Sequence, residues 1–367
     1  MANNKTIVVG MSGGVDSSVT ALLLSEQGFN VVGLHMLGEN KETSKADAKR
    51  VKQLCKQMNI KCSVVEYKDQ MQIVKDYFIN EYKQGRTPNP CVVCNKEVKF
   101  KPFLEYLNTL DADYFATGHY VKVEHDGNLH YLKKAVDTNK DQTYFLCMLS
   151  QEQLKKAVFA LGELNKEQVR TIALQNNLIS ADTKDSYDIC FLGSQKFKDF
   201  MDTYYPEKPG NIIDKTTNKV VGKHTGISKY TIGQRKGLGI GGGHGKTGES
   251  WFVTEKDVLN NTIYVTQGDG EELLSSGLIS DTFNWIPKKP ELIEFDCFAK
   301  FRYRQADQKV HVKVNSDDTI TCTFYKKQRA ITLGQYVVLY GSKNYQCTNI
   351  GDANYCLGGA VINKIIK

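Results

Sequence analysis

A short β-branched run, Thr6 to Val9, leads straight into Gly10-Met11-Ser12-Gly13-Gly14-Val15-Asp16-Ser17 and then into an apolar helical pattern that Gly28 ends. This junction of strand, glycine loop and helix constrains the chain more than any other feature. Glycines let the backbone turn sharply and bring its amides close to a ligand, and the N-terminus of the following helix favours an anion. The loop also lies at the carboxyl end of a strand, where open α/β folds bind their ligands. The rhythm continues downstream. Val31 to Met36, Cys62 to Tyr67 and Asp113 to Thr117 read as strands, and Lys45 to Met58, Gln70 to Lys83 and Lys96 to Leu107 as helices. Strands alternating with helices of this length predict parallel βαβ units.

The pattern then changes. Asp126-Gly127-Asn128 between Val121–Val123 and His130–Leu132 reads as a hairpin, and helical periodicity returns from Tyr144 to Asn177. Beyond Pro206 the chain shows short alternating strands separated by Gly, Asn and Asp, such as Thr262–Thr266, Phe295–Tyr303 and Tyr336–Tyr340. That is the signature of a small barrel or sandwich. The expected fold is α/β: a parallel-sheet domain over residues 1–205, a small connecting domain over 206–275 and a C-terminal β-barrel over 276–367. A length of 367 residues suits two or three domains at roughly 150 residues each.

Composition excludes several classes. No stretch approaches the roughly 18 apolar residues of a membrane span, and the apolar N-terminal run is too short for a secretory leader. Ten cysteines are too sparse for a disulfide scaffold. A cytoplasmic protein with reduced thiols and no membrane partner is expected. Lys and Arg number 48 against 41 Asp and Glu, a net +7 that supports a polyanionic partner only weakly. The excess is denser over residues 286–329, with ten basic and six acidic side chains, although a solvated strand face explains that nearly as well.

The glycine loop lacks the Gly-Lys-Ser/Thr ending of a Walker loop, and it is not Gly-x-Gly-x-x-Gly. The Gly237-x-Gly239-x-x-Gly242 string has that form but follows Gln234-Arg235-Lys236 instead of a buried strand, and so fails its context. The plain reading of the first loop is a turn capped by Asp16 or Ser17. The fuller string Ser12-Gly13-Gly14-Val15-Asp16-Ser17 resembles the pyrophosphate loop of ATP pyrophosphatases, which cleave ATP between its α- and β-phosphates and adenylate a substrate. Cys91-Val92-Val93-Cys94 has no second pair at zinc-finger spacing. A helix expected just after Cys94, with Lys96 nearby, would stabilise a thiolate there. Cys190 stands alone, and a buried inert cysteine is its plain reading.

Seven motifs then occur in one order. They are the Gly10–Ser17 loop; Thr87-Pro88-Asn89-Pro90-Cys91 with Cys94 to Phe100; Ala116-Thr117-Gly118-His119-Tyr120; Lys140-Asp141-Gln142-Thr143-Tyr144; Asp185-Ser186 with Ile189-Cys190-Phe191; Thr231 to Leu238; and Arg302-Tyr303-Arg304. Together they resemble the tRNA-specific 2-thiouridylase family almost end to end, as far as Gln335. The resemblance implies ATP with Mg2+, bound by Gly10, Met11, Ser12, Gly13, Gly14, Val15, Asp16 and Ser17, with Met36 and Gly118 as further nucleotide contacts. It implies a tRNA substrate, of the Lys, Glu and Gln type, adenylated on the wobble uridine and thiolated by a persulfide. Cys190 matches the persulfide carrier and Cys94 the cysteine that assists sulfur release and ends in a disulfide with Cys190. Asn89, Pro90 and Cys91 match the segment that meets the target base. His119, Lys140, Asp141, Gln142, Arg302, Tyr303 and Gln335 match positions that touch tRNA. The donor would be a sulfur-relay protein or a cysteine desulfurase, and the protein a monomer.

Two other functions are weighed against this. A pyrophosphate-loop enzyme acting on a small metabolite would need the loop but gives Cys94 and Cys190 no role. A non-catalytic RNA-binding protein would release no AMP. Cys91 stands where some members carry aspartate, so Cys91, Cys94 and Cys190 could instead hold an iron–sulfur cluster. Anaerobic purification followed by iron and acid-labile sulfide analysis separates the two: persulfide chemistry expects neither, and stoichiometric amounts of both would establish the cluster.

Overall fold

The computed structural model describes residues 5–37, 41–66, 68–183, 189, 192, 196–206, 208–241, 248–268 and 270–367. β1 (Thr6–Gly10) passes into α1 (Val15–Glu26), β2 (Asn30–Leu37), α2 (Lys41–Gln57), β3 (Lys61–Glu66) and α3 (Lys68–Lys83). Next come α4 (Pro90–Val93), a π-helical stretch over Cys94–Phe100, α5 (Lys101–Thr109) and β4 (Tyr114–Ala116). β5 (Val121–Asp126) and β6 (Leu129–Lys134) form the expected hairpin. α6 (Thr143–Leu146), α7 (Gln151–Lys156), β7 (Ala157–Val158), α8 (Lys166–Gln175) and α9 (Phe197–Tyr204) follow.

The first sheet runs β3-β2-β1-β4-β7, all parallel. Ile7, Val8 and Val9 are completely buried, which accounts for the unbroken apolar run: a parallel strand is covered on both faces. One face packs α1, α2 and α8 through Val19, Leu24, Leu54, Val169 and their neighbours. On the other, Phe115 stacks on Phe103 at 5.3 Å and meets Phe100 edge-on at 5.4 Å. α1 ends as expected: Gly28 takes φ +86° and the Phe29 amide donates back to the Leu24 carbonyl.

The helical stretch expected from Tyr144 to Asn177 is broken into α6, α7 and α8, with β7 returning to the sheet between them. The breaks have a readable cause. Ser150 and Asn165 each start a new helix with a capping box, closed by Gln153 and Gln168 three residues on.

β8 (Gly210–Asp214), β9 (Val220–His224), β10 (Trp251–Asp257) and β11 (Thr262–Gln267) make a small sheet of order β10-β11-β8-β9 around Ile212, Val253, Ile263 and Val265. β12 (Leu274–Ser280), β13 (Asn284–Trp285), β14 (Glu294–Lys300), β15 (Gln308–Val314), β16 (Ile320–Arg329), β17 (Tyr336–Gly341) and β18 (Tyr355–Ile366) follow. β12, β16, β15, β14, β17 and β18 close into a barrel, because β12 pairs with both β16 and β18.

The hairpin belongs to this barrel's sheet and not to the first one: Tyr355 and Cys356 of β18 pair with Lys133 and Leu132 of β6. A charged cluster reinforces the seam. Glu124 accepts from Lys133 at 2.8 Å, from Lys343 at 3.0 Å and from the Tyr355 hydroxyl at 2.9 Å. These partners pull the Glu124 carboxyl down to about 2. Because its folded value lies below its unfolded one, its contribution is present near neutrality and lost as pH falls from about 4.5 towards 2. The group is about one-third exposed, so solvent screening holds the effect to about 1 kcal/mol. Glu124→Gln should therefore lower stability by about that amount at pH 7 in urea melts, and its deficit should shrink below about pH 4.5 and vanish only as the pH falls through about 2.

Candidate active site at the switch point of the sheet

Along the chain, β1, β2 and β3 step outward in one direction, and β4 then lands on the other side of β1. The carboxyl ends of β1 and β4 therefore face a crevice, the place where open α/β sheets bind ligands. The glycine loop leaves β1 here, and Thr117-Gly118-His119 leaves β4 beside it.

The loop is built from its own side chains. The Met11 amide extends the β1–β2 pairing by donating to Leu34 O at 2.8 Å. Gly13 takes φ +84°, which favours glycine. The Ser12 amide donates to Ser17 Oγ at 3.2 Å, and Ser18 Oγ donates to the Gly14 carbonyl at 2.8 Å. Neither Asp16 nor Ser17 caps α1. Its N-cap is Gly14, without a side-chain cap among the described residues, so the first amides of the helix face the crevice for an anion. Gly118 completes the cradle. A Cβ there would lie 2.9 Å from the Asp16 carbonyl carbon and from the Ser17 amide nitrogen.

Three side chains to which the sequence assigned no role shape the loop. Lys166 Nζ, at the start of α8, reaches Asp16 Oδ1 at 2.7 Å, and the Tyr120 hydroxyl donates to the same oxygen at 2.8 Å. His35 Nδ1 donates to Met11 O at 2.7 Å from a buried imidazole. Lys166 and Asp16 are 150 positions apart, so no local pattern links them.

Cys94 sits otherwise than expected. The helix starts at Pro90, at the position where proline is favoured, so Cys94 lies one turn in and not ahead of an N-terminus. Its amide is already committed to Pro90 and Cys91 carbonyls. Cys94 is buried where α4 passes into the π-helix, a form concentrated at functional sites. It shares a small apolar cluster with Val74 and Val98, against which Met36 packs from the end of β2. Met36 and Cys94 thus come together near the carboxyl end of β2. Cys91 is half-buried, one turn before. Cys190, with Asp185 and Ser186, lies outside the described residues.

The remaining candidates divide into those that face outward and those that hold the site. His119 is buried against Phe100, with Nδ1 2.8 Å from Thr117 Oγ1, and burial holds its ring well below the usual histidine range. Asp141 is buried as well, accepting from the Ala135 amide and the Thr143 hydroxyl at 2.6 Å. Gln142 and Tyr120 exchange hydrogen bonds, Gln142 Oε1 accepting from the Tyr120 amide at 2.9 Å. The Lys140–Gln142 segment therefore supports Tyr120, and through it Asp16. Gln335 Nε2 donates to Thr87 O and Pro88 O at 2.8 and 3.2 Å, so the barrel fixes the approach to Asn89-Pro90-Cys91. Arg302 is exposed, with Nη2 tied to Ala330 O and Thr332 Oγ1. Tyr303 lies 4.3 Å from the Phe145 ring. Arg235 and Lys236 are exposed on the connecting domain.

Three family models match along the chain: a tRNA methyl transferase HUP domain over residues 5–194, a tRNA methyl transferase PRC-barrel domain over 198–267 and an aminomethyltransferase beta-barrel domain over 275–362. A protein of Alkaliphilus oremlandii is 49% identical, with 98% of each chain covered. One from Enterococcus faecalis is 48% identical over 99% of this chain and 96% of its own. One from Streptococcus thermophilus is 48% identical over 100% and 97%. All three are named tRNA-specific 2-thiouridylase MnmA. The domain descriptions speak of methyl transfer and the full-length relatives of thiolation. Near-half identity over whole chains is the more specific of the two.

Removing Lys166 leaves the Asp16 carboxylate with one neutral partner, Tyr120, in place of a cation. Lys166→Met should weaken ATP binding by about tenfold, roughly 1.4 kcal/mol, in isothermal titration, and Lys166→Arg should keep most of it.

Proposed function

The chain belongs to the tRNA-specific 2-thiouridylase family, and on that premise we propose how its residues divide the work of thiolating tRNA. The protein is a tRNA sulfurtransferase that forms 2-thiouridine. The single observation carrying this is the likeness to relatives of that name, 49% identical over 98% of both chains.

ATP is the energy source. Its phosphates fit the cradle of Gly13, Gly14 and the first turn of α1, flanked by Ser12 and Ser17, and Gly118 lets the chain approach closely. Gly10, Met11 and Val15 shape that loop, and Met36 offers an apolar wall for the adenine. Asp16 supplies a hard oxygen suited to Mg2+, which would screen the phosphate charge. Lys166, already at Asp16, adds a positive charge beside the leaving pyrophosphate.

The target uridine lies at Asn89, Pro90 and Cys91, on a segment that Gln335 holds from the barrel. Its C2 oxygen attacks the α-phosphate, and pyrophosphate leaves. The resulting adenylate makes C2 a good electrophile, because AMP is a far better leaving group than oxide. The terminal sulfur of a Cys190 persulfide attacks C2. Cys94 then attacks the Cys190 sulfur, so the sulfur stays on the base, AMP departs and the two cysteines end as a disulfide. Burial of Cys94 beside Met36 keeps this step away from water. An iron–sulfur cluster would need Cys91, Cys94 and Cys190 together, whereas the persulfide reading uses two of them.

Arg302 and Tyr303, with the exposed Arg235 and Lys236, offer cations and an aromatic face to the RNA. His119, Asp141 and Gln142 act on it through the loops they hold, and Lys140 lies on the same segment. The tRNAs are those for Lys, Glu and Gln, and the donor is a relay protein or a desulfurase. The protein acts as a cytoplasmic monomer.

Unmodified tRNA incubated with the protein, ATP, Mg2+ and a persulfide source, then digested, should yield 2-thiouridine by mass spectrometry. Cys94→Ser and Cys190→Ser should each lower the yield at least a hundredfold. AMP release without thiolation would move the enzyme to a small metabolite, and neither product would leave a non-catalytic RNA-binding protein.

A further inference from the structure

Cys55 ends the buried face of α2, and Cys62 is exposed at the start of β3. The chain between them reverses through Asn59, at φ +53°, with the Ile60 amide donating to Cys55 O at 2.9 Å. This turn brings the Cys62 thiol close enough to Cys55 to help raise the Cys55 thiol. A glycine makes room for them. Gly33 is the register partner of Cys62, and a Cβ on it would lie 2.7 Å from Cys55 Sγ. One turn earlier on α2, Arg50 Cδ and Val51 Cγ2 lie 3.5 and 3.6 Å from the Cβ position of Gly13. The helix that carries the buried thiol therefore also roofs the glycine loop.

We propose that Cys55 and Cys62 form a redox-modified dithiol site, closed to an intramolecular disulfide by a low-molecular-weight disulfide, and that closure weakens ATP binding through α2. The Cys62 thiolate attacks one sulfur of R–S–S–R and expels RS⁻. The Cys55 sulfur, losing its proton, then attacks Cys62 Sγ in the mixed disulfide and expels the second RS⁻. Two protein thiols are oxidised to one cystine, and one small disulfide is reduced to two thiols. Burial pushes the Cys55 thiol up to about 12, so the exposed Cys62 is the entry point. Bonding draws the sulfurs to about 2.05 Å. β3 is held to β2 at six register pairs, from Val32–Lys61 to Leu37–Glu66, so the end of α2 is the part that moves. Arg50 and Val51 move with it, against the loop.

The disulfide stands by itself; its effect on ATP rests on the function proposed above. The test uses the full chain with Cys94→Ser and Cys190→Ser, so that the expected catalytic pair cannot compete. The protein is reduced, treated with oxidised glutathione, alkylated and digested with trypsin. The expected result is one species joining Gln53–Lys56 to Cys62–Lys68, together with ATP affinity at least fivefold weaker by titration calorimetry. Dithiothreitol should reverse both, and an added Cys62→Ser should abolish both. Absence of the linked peptides overturns the proposal, as does a linked protein whose ATP affinity is unchanged. If the reduced protein binds no ATP while the linked peptides form, the dithiol site stands and the reading of the loop falls.

Discussion

Everything at the site depends on how closely two backbones approach. Gly118 lies so near the peptide between Asp16 and Ser17 that a single methyl group would collide with it. That contact sets the distance between the ends of β1 and β4, and with it the width of the crevice. It also brings Tyr120, two residues later, to Asp16. Tyr120 is held by Gln142, and Lys166 arrives from α8. A loop of small residues acquires a fixed shape because these longer side chains converge on one carboxylate. Such preorganisation matters for phosphate chemistry, in which the protein's contribution is mostly position and charge.

The barrel does more than offer a basic surface. Gln335 holds the backbone ahead of Asn89, and the Thr87 amide donates to Leu333 O at 2.9 Å. Arg302 bonds to Ala330 and Thr332 of the barrel and reaches Ile232 O of the connecting domain at 3.4 Å. Gly233, at φ +82°, meets Ala330 so closely that a Cβ would lie 2.6 Å from it. Residues whose motifs point to RNA are in part the fasteners between domains. Mutating them would disturb geometry as well as contact.

The glycine loop and the alternation of strands and helices were legible because each is a local pattern: β-branched residues, then small ones, then a helical period. The barrel was legible from its short strands. Four features were not. Cys94 was expected ahead of a helix starting at Lys96, yet Pro90 begins the helix. The hairpin was read correctly, but not that it would join β18. Lys166 looked like an ordinary residue at a helix start, since its partner is 150 positions away. His119 and Asp141 were assigned by resemblance, and their burial is a property of the tertiary fold alone. What escapes a sequence here is partnership over distance.

The seam between hairpin and barrel has a consequence for the order in which the molecule is made. Glu124 meets Tyr355 across 231 positions, and Gln335 meets Thr87 across 248. A ribosome delivers the glycine loop early, and the parallel sheet can assemble while the rest is still being translated. The edge of β6 and the approach to Asn89 must wait for strands synthesised last. Contacts of such long range are slow to form, and they leave a strand edge exposed in the interval. The glycine-loop side of the crevice can thus be complete on a nascent chain whose approach to Asn89 is not yet fixed.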